Sequence, residues 1–375
     1  MDKSVLDIVR QWSGKKFREE CIRHSYEGRE IRAFTFGDGQ TRILAWSQMH
    51  GNEPTSTLAL MDAMKYLEQG GSEAAEILSS LTIIAIPMLN PDGYIRYDRR
   101  NAQGIDVNRD AQSLISPEAR LLMKVWEDYK PDFALNLHDQ ETRYTSLQPL
   151  TPSLLAMLAP ECNYEKSVTP TRERAMKAIA AISDDLQGIA AGRIAKYDDV
   201  YTPTAFGDTF MKLGTSSILI EAGSEPDDPR RDKPRSAMSK AIISALRVMA
   251  SGRYNDYDIQ QYDRLPLNKD FDGYDLLIKG IKVIDPLGDY TTDIAIRRVK
   301  TSCNQEDFAD DFDDFRILNI GCLGDMPAVK AVDWQGYTLR GSHSDIYIGR
   351  KADIEAATPD GEIINVLNLL KTDQH

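Results

Sequence analysis

The sequence predicts an α/β fold, a mixed and mainly parallel sheet with helices on both faces, carrying a small β-rich C-terminal domain. Three observations lead there. Continuous apolar runs such as LTIIAIPML (81–89) and DFALNLH (132–138) alternate with amphipathic stretches, the pattern of strands buried on both faces and separated by helices. The polar segment RYNDYDIQQYDRLPLN (253–268) then breaks that alternation. Beyond it, short β-like pieces are separated by turn residues. The expected domains are therefore residues 1–252, carrying the chemistry, and residues 262–375, an accessory packing or dimerisation module.

Taken in order, EIRAFTFG (30–37) and TRILAWS (41–47) read as two strands around a Gly-Asp-Gly turn. TSTLALMDAMKYLEQG (55–70) has apolar residues at helical spacing and ends on Gly70. LTIIAIPML is a buried strand. SPEARLLMKVWEDYK (116–130) opens with Ser116 and Pro117, a helix-start signal. DFALNLH is the next strand, RERAMKAIAAISDDLQGIAAG (172–192) a long helix, GTSSILIEAG (214–223) a further strand, and SAMSKAIISALRVMA (236–250) the last helix. In the C-terminal region YDLLIKGIKVID (274–285), TTDIAIRRV (291–299), DFRILNIG (314–321), SDIYIGR (344–350) and EIINVLNLL (362–370) read as β pieces. The acidic run EDFADDFDDF (306–315) reads as solvated loop.

Composition narrows the function classes. The 375 residues include 45 basic and 58 acidic side chains, a net charge of −13, which argues against nucleic acid or an anionic membrane as partner. The four cysteines (Cys21, Cys162, Cys303, Cys322) are scattered, so neither a cysteine zinc site nor a disulfide framework is expected. The opening MDKSVLDIVRQW lacks the apolar core of a signal peptide, and no apolar run approaches ~20 residues. A cytoplasmic protein is the expectation; the oligomeric state is not legible.

The candidate chemistry clusters at strand ends. His50 and Glu53 follow TRILAWS, His138 ends DFALNLH, and Glu221 ends SSILIE. Ligand sites in open α/β sheets form at the carboxyl ends of strands. Pro54 disfavours the helical region for Glu53, which places it at a helix entrance where it and His50 share one tight turn. Two imidazoles and one carboxylate around one ion leave a fourth position open, the arrangement of catalytic zinc. Such an ion polarises a carbonyl and acidifies water, and Glu221 is the candidate base. Between these residues lies NPDGYIRYDRRNAQGIDVNRD (90–110), whose Arg96, Arg99, Arg100 and Arg109 read as an anion grip, since a guanidinium fork matches a carboxylate.

The ordered set of HxxE (His50 to Glu53), NPDG, GIDVNR, a strand ending in His138 and a strand ending in Glu221 resembles the zinc metallocarboxypeptidases of the carboxypeptidase A type, the funnelins. The likeness runs from about residue 20 to 250. It implies that His50, Glu53 and His138 bind one zinc ion and that Asp106 orients His50. It also implies that Asn108 and Arg109 hold the C-terminal carboxylate of a peptide or peptide-like substrate. Arg99, with Arg100 next in line, would stabilise the oxyanion, Glu221 would act as general base, and Tyr201, or else Tyr197, would close over the substrate. The implied activity is removal of one C-terminal residue. Residues 206–208 are expected at the pocket for the leaving side chain, and an Asp208 lining it would favour a basic one. Departures are the short 84-residue gap between Glu53 and His138, the absence of a propeptide-like stretch, and Asp139 and Gln140 after His138, expected to add a carboxylate near the metal. The rival readings are an N-acyl amino acid hydrolase of the aspartoacylase or succinylglutamate desuccinylase type, a cell-wall peptide amidase or deglutamylase, and a non-catalytic binding protein. NPDG followed by GIDVNR favours the peptidase.

Overall fold

A computed structural model describes residues 4–12, 17–140, 143–146, 151–198, 200–225, 228–270, 273–299, 314–324 and 326–371. The chain divides into two compact units, Met1–Lys269 and Asp270–His375.

The elements of the first unit run in order α1 (Val5–Gln11), β1 (Phe17–His24), β2 (Glu30–Phe36), β3 (Thr41–Ser47), α2 (Pro54–Gln69), α3 (Ser72–Ser80), β4 (Leu81–Ile86), α4 (Pro91–Arg96), α5 (Pro117–Tyr129) and β5 (Phe133–Asp139). There follow β6 (Tyr144–Thr145), β7 (Leu155–Leu158), α6 (Pro170–Asp185), α7 (Gln187–Ala190), β8 (Ile194–Lys196), α8 (Phe206–Lys212), β9 (Ser216–Ala222), α9 (Asp232–Ser251), α10 (Ile259–Asp263) and β10 (Asn268–Lys269). Eight strands form one sheet in the order β1-β2-β4-β3-β5-β9-β7-β8, with β4, β3, β5 and β9 parallel. The predicted mixed, mainly parallel sheet is present.

Helices cover both faces. Adjacent strand residues point oppositely, and Ser216 Oγ donates to the Thr171 carbonyl of α6, whereas the Cβ position of Gly207 in α8 lies 3.7 Å from Ser217 Oγ. On the α8 side, Trp46, Leu122, Trp126, Phe206 and Phe210 share one buried core.

Some elements differ from expectation. The strands around Gly-Asp-Gly do not pair with each other: β4 lies between them, antiparallel to β2 and parallel to β3, because its run, apolar but for Thr82, is best buried inside the sheet. The long helix breaks at Leu186 into α6 and α7. The polar stretch after residue 252 folds onto the first unit as a 3₁₀ turn (Arg253–Asp256), α10 with a capping box from Asp258 and Gln261, and β10, so the division falls at Lys269.

The second unit holds β11 (Tyr274–Val283), β12 (Tyr290–Val299), β13 (Asp314–Gly321), β14 (Ala328–Asp333), β15 (Thr338–Arg340), β16 (Glu355–Ala357), β17 (Ile363–Asn365) and α11 (Val366–Lys371). All seven strands join one sheet around a core including Ile278, Ile296, Ile317 and Trp334. SDIYIGR is not a strand: Asp345 folds back to accept the Ser342 amide, between left-handed Gly341 and Gly349. EIINVLNLL is strand only to Asn365, whose side chain accepts the Leu367 amide and starts a helix. The acidic run lies outside the described residues up to 313; Asp314 and Phe315 begin β13. Among the described residues no helix is long and apolar enough to cross a membrane.

Candidate metal centre

The turn after β3 is built for a close approach. A Cβ on Gly51 would meet the Gly93 carbonyl carbon at 1.9 Å, so only glycine lets the two backbones touch. Asn90 fixes the other side: its Oδ1 accepts the Gly93 amide at 2.9 Å and its Nδ2 donates to the Met49 carbonyl at 3.2 Å. NPDG is thus a brace for the turn that carries His50. Pro54 starts α2 and leaves Glu53 as the N-cap in a non-helical conformation, with its carboxylate making no cap hydrogen bond. That carboxylate is used elsewhere.

It lies between two imidazoles. His50 Nδ1 is 2.8 Å from Glu53 Oε1, and His138 Nδ1 is 2.7 Å from Glu53 Oε2. The rings are 4.8 Å apart by their centroids, and all three residues are buried. One donor atom from each lies within 4.8 Å of the others. His50 Nε2 faces Asp106 Oδ1 at 3.0 Å, which makes Asp106 the acceptor for Nε2–H and leaves the Nδ1 lone pair for a cation. His138 Nε2 is buried without a hydrogen-bond partner among the described residues, so its Nδ1 is the nitrogen aimed at the cluster. Two nitrogens, one carboxylate and near-complete burial fit zinc with an open fourth position.

The electrostatics follow from this packing. Burial disfavours the imidazolium of His50, but Glu53 and Asp106 outweigh it and hold the ring up to about 9. At His138 burial wins over Glu53 and the pKa falls. Burial of Glu53 is outweighed by the two imidazoles, which hold its carboxyl well below the usual range.

Glu221 stands in register beside His138 on neighbouring parallel strands, so both side chains share a face. Its Oε2 is buried without a hydrogen-bond partner among the described residues. Burial, and then the Glu53 charge, push its carboxyl up to about 8. Arg99 reaches the cluster, donating from Nε to Asp106 Oδ2 at 3.0 Å and approaching Glu53 Oε1 at 3.5 Å; Arg100 turns away to the Gly104 carbonyl. Asn108 is buried and bridges two elements: its amide donates to Asp106 Oδ1, and its Oδ1 accepts the Phe206 amide at the start of α8. Arg109 is exposed and donates to the Asn108 carbonyl at 2.7 Å. Asp208 is buried, accepts the Thr202 amide at 2.8 Å, and is pushed up to about 7 by burial.

The two tyrosines separate. Tyr201 stacks edge-on against Tyr164 at 4.8 Å and makes no described contact with the cluster. Tyr197 donates to Gln140 Oε1 at 2.5 Å, two residues past His138. Asp139 does not join the ligand cluster. Opposite in direction to His138, its carboxylate accepts the Thr55 and Ser56 amides of α2. Arg231, which donates to Thr55 Oγ1, was not singled out in the sequence because it sits in an ordinary surface-like charged run, PRRDK.

With this geometry in place, comparison with known proteins gives a consistent result. The family described as zinc carboxypeptidase matches residues 15–274. A "Probable carboxypeptidase 2" of Trichophyton verrucosum is 25% identical over 190 residues, 49% of this chain and 34% of that protein. A "Carboxypeptidase 2" of Trichophyton equinum is 28% identical over 190 residues, 49% of this chain and 33% of that protein. The chain thus spans about a third of the length of these curated relatives. Among solved structures, carboxypeptidase A from Helicoverpa armigera superposes with a TM-score of 0.52 at 14% identity, covering 66% of this chain and 71% of that one. A metallo-carboxypeptidase from Burkholderia cenocepacia gives 0.50 at 17% identity, covering 64% and 67%. These two likenesses concern the fold.

Proposed function

The chain belongs to the zinc carboxypeptidase family, and we propose that it is a zinc-dependent hydrolase that removes one C-terminal residue from peptides. The observation that carries this reading is the convergence of two imidazole Nδ1 atoms on the Glu53 carboxylate, with Glu221 beside them.

His50, Glu53 and His138 hold the ion, and Asp106 fixes the His50 ring. Zinc held there supplies Lewis acidity, drawing charge from a substrate carbonyl and acidifying water. Asn108 and Arg109 hold the substrate's terminal carboxylate; the exposed guanidinium of Arg109 reaches it by giving up its bond to the Asn108 carbonyl. Arg99, already against Glu53 and Asp106, presents positive charge to the carbonyl oxygen as its charge develops. Glu221 takes the proton from the attacking water and returns it to the leaving amine. Burial, and then the Glu53 charge, raise its carboxyl above the ordinary value, which makes it the stronger proton acceptor. Tyr201 closes over the substrate only by leaving its stack on Tyr164.

The test joins metal analysis to hydrolysis of a mixed peptide library by native protein and Glu221→Gln. The expected outcome is one zinc in each and a turnover loss of about 10²–10⁴-fold in the variant. Equal turnover removes Glu221 from the mechanism; cleavage of acyl-aspartates but not peptides moves the chain to the acylase reading. Within the library, a strong preference for C-terminal Phe over Lys would end the basic-pocket role of Asp208.

A further inference from the structure

Beyond the ligands, the structure places a second set of side chains between the elements that carry them. Three separate pieces of chain must meet at the metal centre: the turn before α2 with His50 and Glu53, the end of β5 with His138, and the end of β9 with Glu221. Within the ligand set, α2 meets β5 through Glu53 at its N-cap, whose Oε2 lies 2.7 Å from His138 Nδ1. The N-terminus of α2 is poorly capped from within, since Glu53 is its N-cap and makes no cap bond.

Asp139 fills that gap from β5. Its Oδ2 accepts the Thr55 amide at 2.7 Å and its Oδ1 accepts the Ser56 amide at 2.8 Å, so both oxygens are used by the first free N–H groups of α2. The Asp139 amide donates to Glu53 Oε2 at 3.3 Å. One residue therefore ties the helix that begins at Glu53 to the strand that presents His138. Arg231 extends the tie to β9. Its Nε donates to Thr55 Oγ1 at 2.7 Å, and its Nη2 donates to the Ala222 and Gly223 carbonyls at 3.1 and 2.8 Å, directly after Glu221. Its charge also faces the buried Asp139 carboxylate. Arg231 reaches this position with a left-handed backbone (φ 56°), a cost to a non-glycine residue.

We propose that Asp139 and Arg231 are positioning residues for the metal centre: together they lock the α2 N-terminus to the ends of β5 and β9, so that His50, Glu53 and His138 are held at ion-binding spacing before any ion arrives. The inference rests on the metal site of the preceding reading and assigns the clamp to residues that touch neither ion nor substrate. Asparagine at 139 keeps the size but presents an N–H₂ to one of the two amides, so one cap bond becomes a donor–donor clash.

Zinc affinity, measured by competition with a chromogenic chelator, tests it without relying on turnover. Asp139→Asn should raise the zinc dissociation constant about 10–100-fold, the range for lost outer-shell support, and Arg231→Met should raise it by a smaller factor. Cobalt-loaded Asp139→Asn should show an altered visible spectrum. The control is Thr169→Ala, which removes an equivalent cap from α6, where Thr169 accepts the Arg172 amide at 3.3 Å; it should leave zinc affinity unchanged. Unaltered affinity in both clamp variants, or an equal rise in Thr169→Ala, would overturn the positioning role alone. Failure of the wild-type protein to take up zinc would overturn this and the hydrolase reading together. Should Asp139→Asn fail to fold, Arg231→Met carries the test, being a partly buried side chain at a helix start.

Discussion

The two units bury very different things. In the first, His50, Glu53, Asp92, Asn108, Glu118, Asp139, Glu161, Arg172 and Asp208 all lie out of solvent. In the second, Thr292 is the one polar side chain recorded as buried among the described residues, and the core is aliphatic with a tryptophan. Burying ionisable groups costs stability unless each finds partners. The first unit supplies those partners from distant positions: Asp92 takes Ser25, the Glu27 amide and Arg29, and Glu118 takes Asn101. The second is held by strand pairing around apolar residues. Part of that buried charge, His50, Glu53 and Asp139, stands at or just beyond the carboxyl ends of the parallel strands β3 and β5, at the candidate metal centre.

The contrast is broken most severely at His138. His138→Ala removes one of the three proposed ligands and leaves Glu53 with a single imidazole. The expected result is loss of bound zinc at stoichiometric metal and a fall in peptide turnover on the order of 10³-fold or more, the scale of several kcal/mol of lost Lewis-acid stabilisation. Metal content by elemental analysis, read beside kcat/KM, checks it; full zinc retention would show that the ion is held elsewhere. The second unit's unfolding transition should not move.

How far the sequence alone reached follows the same division. Strands β3, β4, β5 and β9 were legible because both their faces are buried and they read as unbroken apolar runs. The residues of the candidate metal cluster were legible because His138 ends such a run and His50 and Glu53 follow closely on another. Short elements escaped: β7 and the edge strand β8 are four and three residues long and carry little period. The second unit was read only in part, since a strand such as AVKAVD exposes Val329 and Ala331 and keeps Lys330 half-buried, against the usual alternation, and the bond from the Ser342 amide to Asp345 overrode the β character of SDIYIGR. Asp139 was visible but its direction was not. Period 2 along β5 sends it opposite to His138, yet only the position of α2 reveals what it meets. Arg231 had no local signal at all, because its partners are about 175 and fewer than 10 residues away along the chain.

A core deletion in the second unit sharpens the comparison from the other side. Ile296 in β12 is fully buried and pairs with Leu276 of β11 and Ile317 of β13. Ile296→Ala should destabilise that unit by about 2–5 kcal/mol, transfer and cavity contributions together, seen as an earlier unfolding transition by calorimetry. Zinc uptake and kcat/KM should be unchanged at temperatures below that transition. Loss of zinc affinity in this variant would mean that the aliphatic unit is not separable from the chemistry.

The smallest effect concerns a charge in the first unit that serves only structure. Asp185, at the end of α6, is approached by Arg247 Nη2 at 2.8 Å, by Arg253, and by Ser244 Oγ at 2.5 Å. Burial works to raise its carboxyl, but Arg253, Ser244 and Arg247 outweigh that and hold it below the ordinary value. A carboxyl whose folded pKa is depressed stabilises the fold above its unfolded pKa, about 3.9, and loses that contribution as pH falls through the lower folded value. Both arginines are about two fifths exposed, so solvent screens the pair. Asp185→Asn should therefore lower Tm by roughly 2–4 °C near neutral pH, about 1 kcal/mol, and the gap to wild type should close below about pH 4 as the native carboxylate protonates. Melting curves between pH 7 and pH 2.5 read this directly. A gap that persists undiminished at the acid end would mean that asparagine loses packing or hydrogen bonds rather than charge.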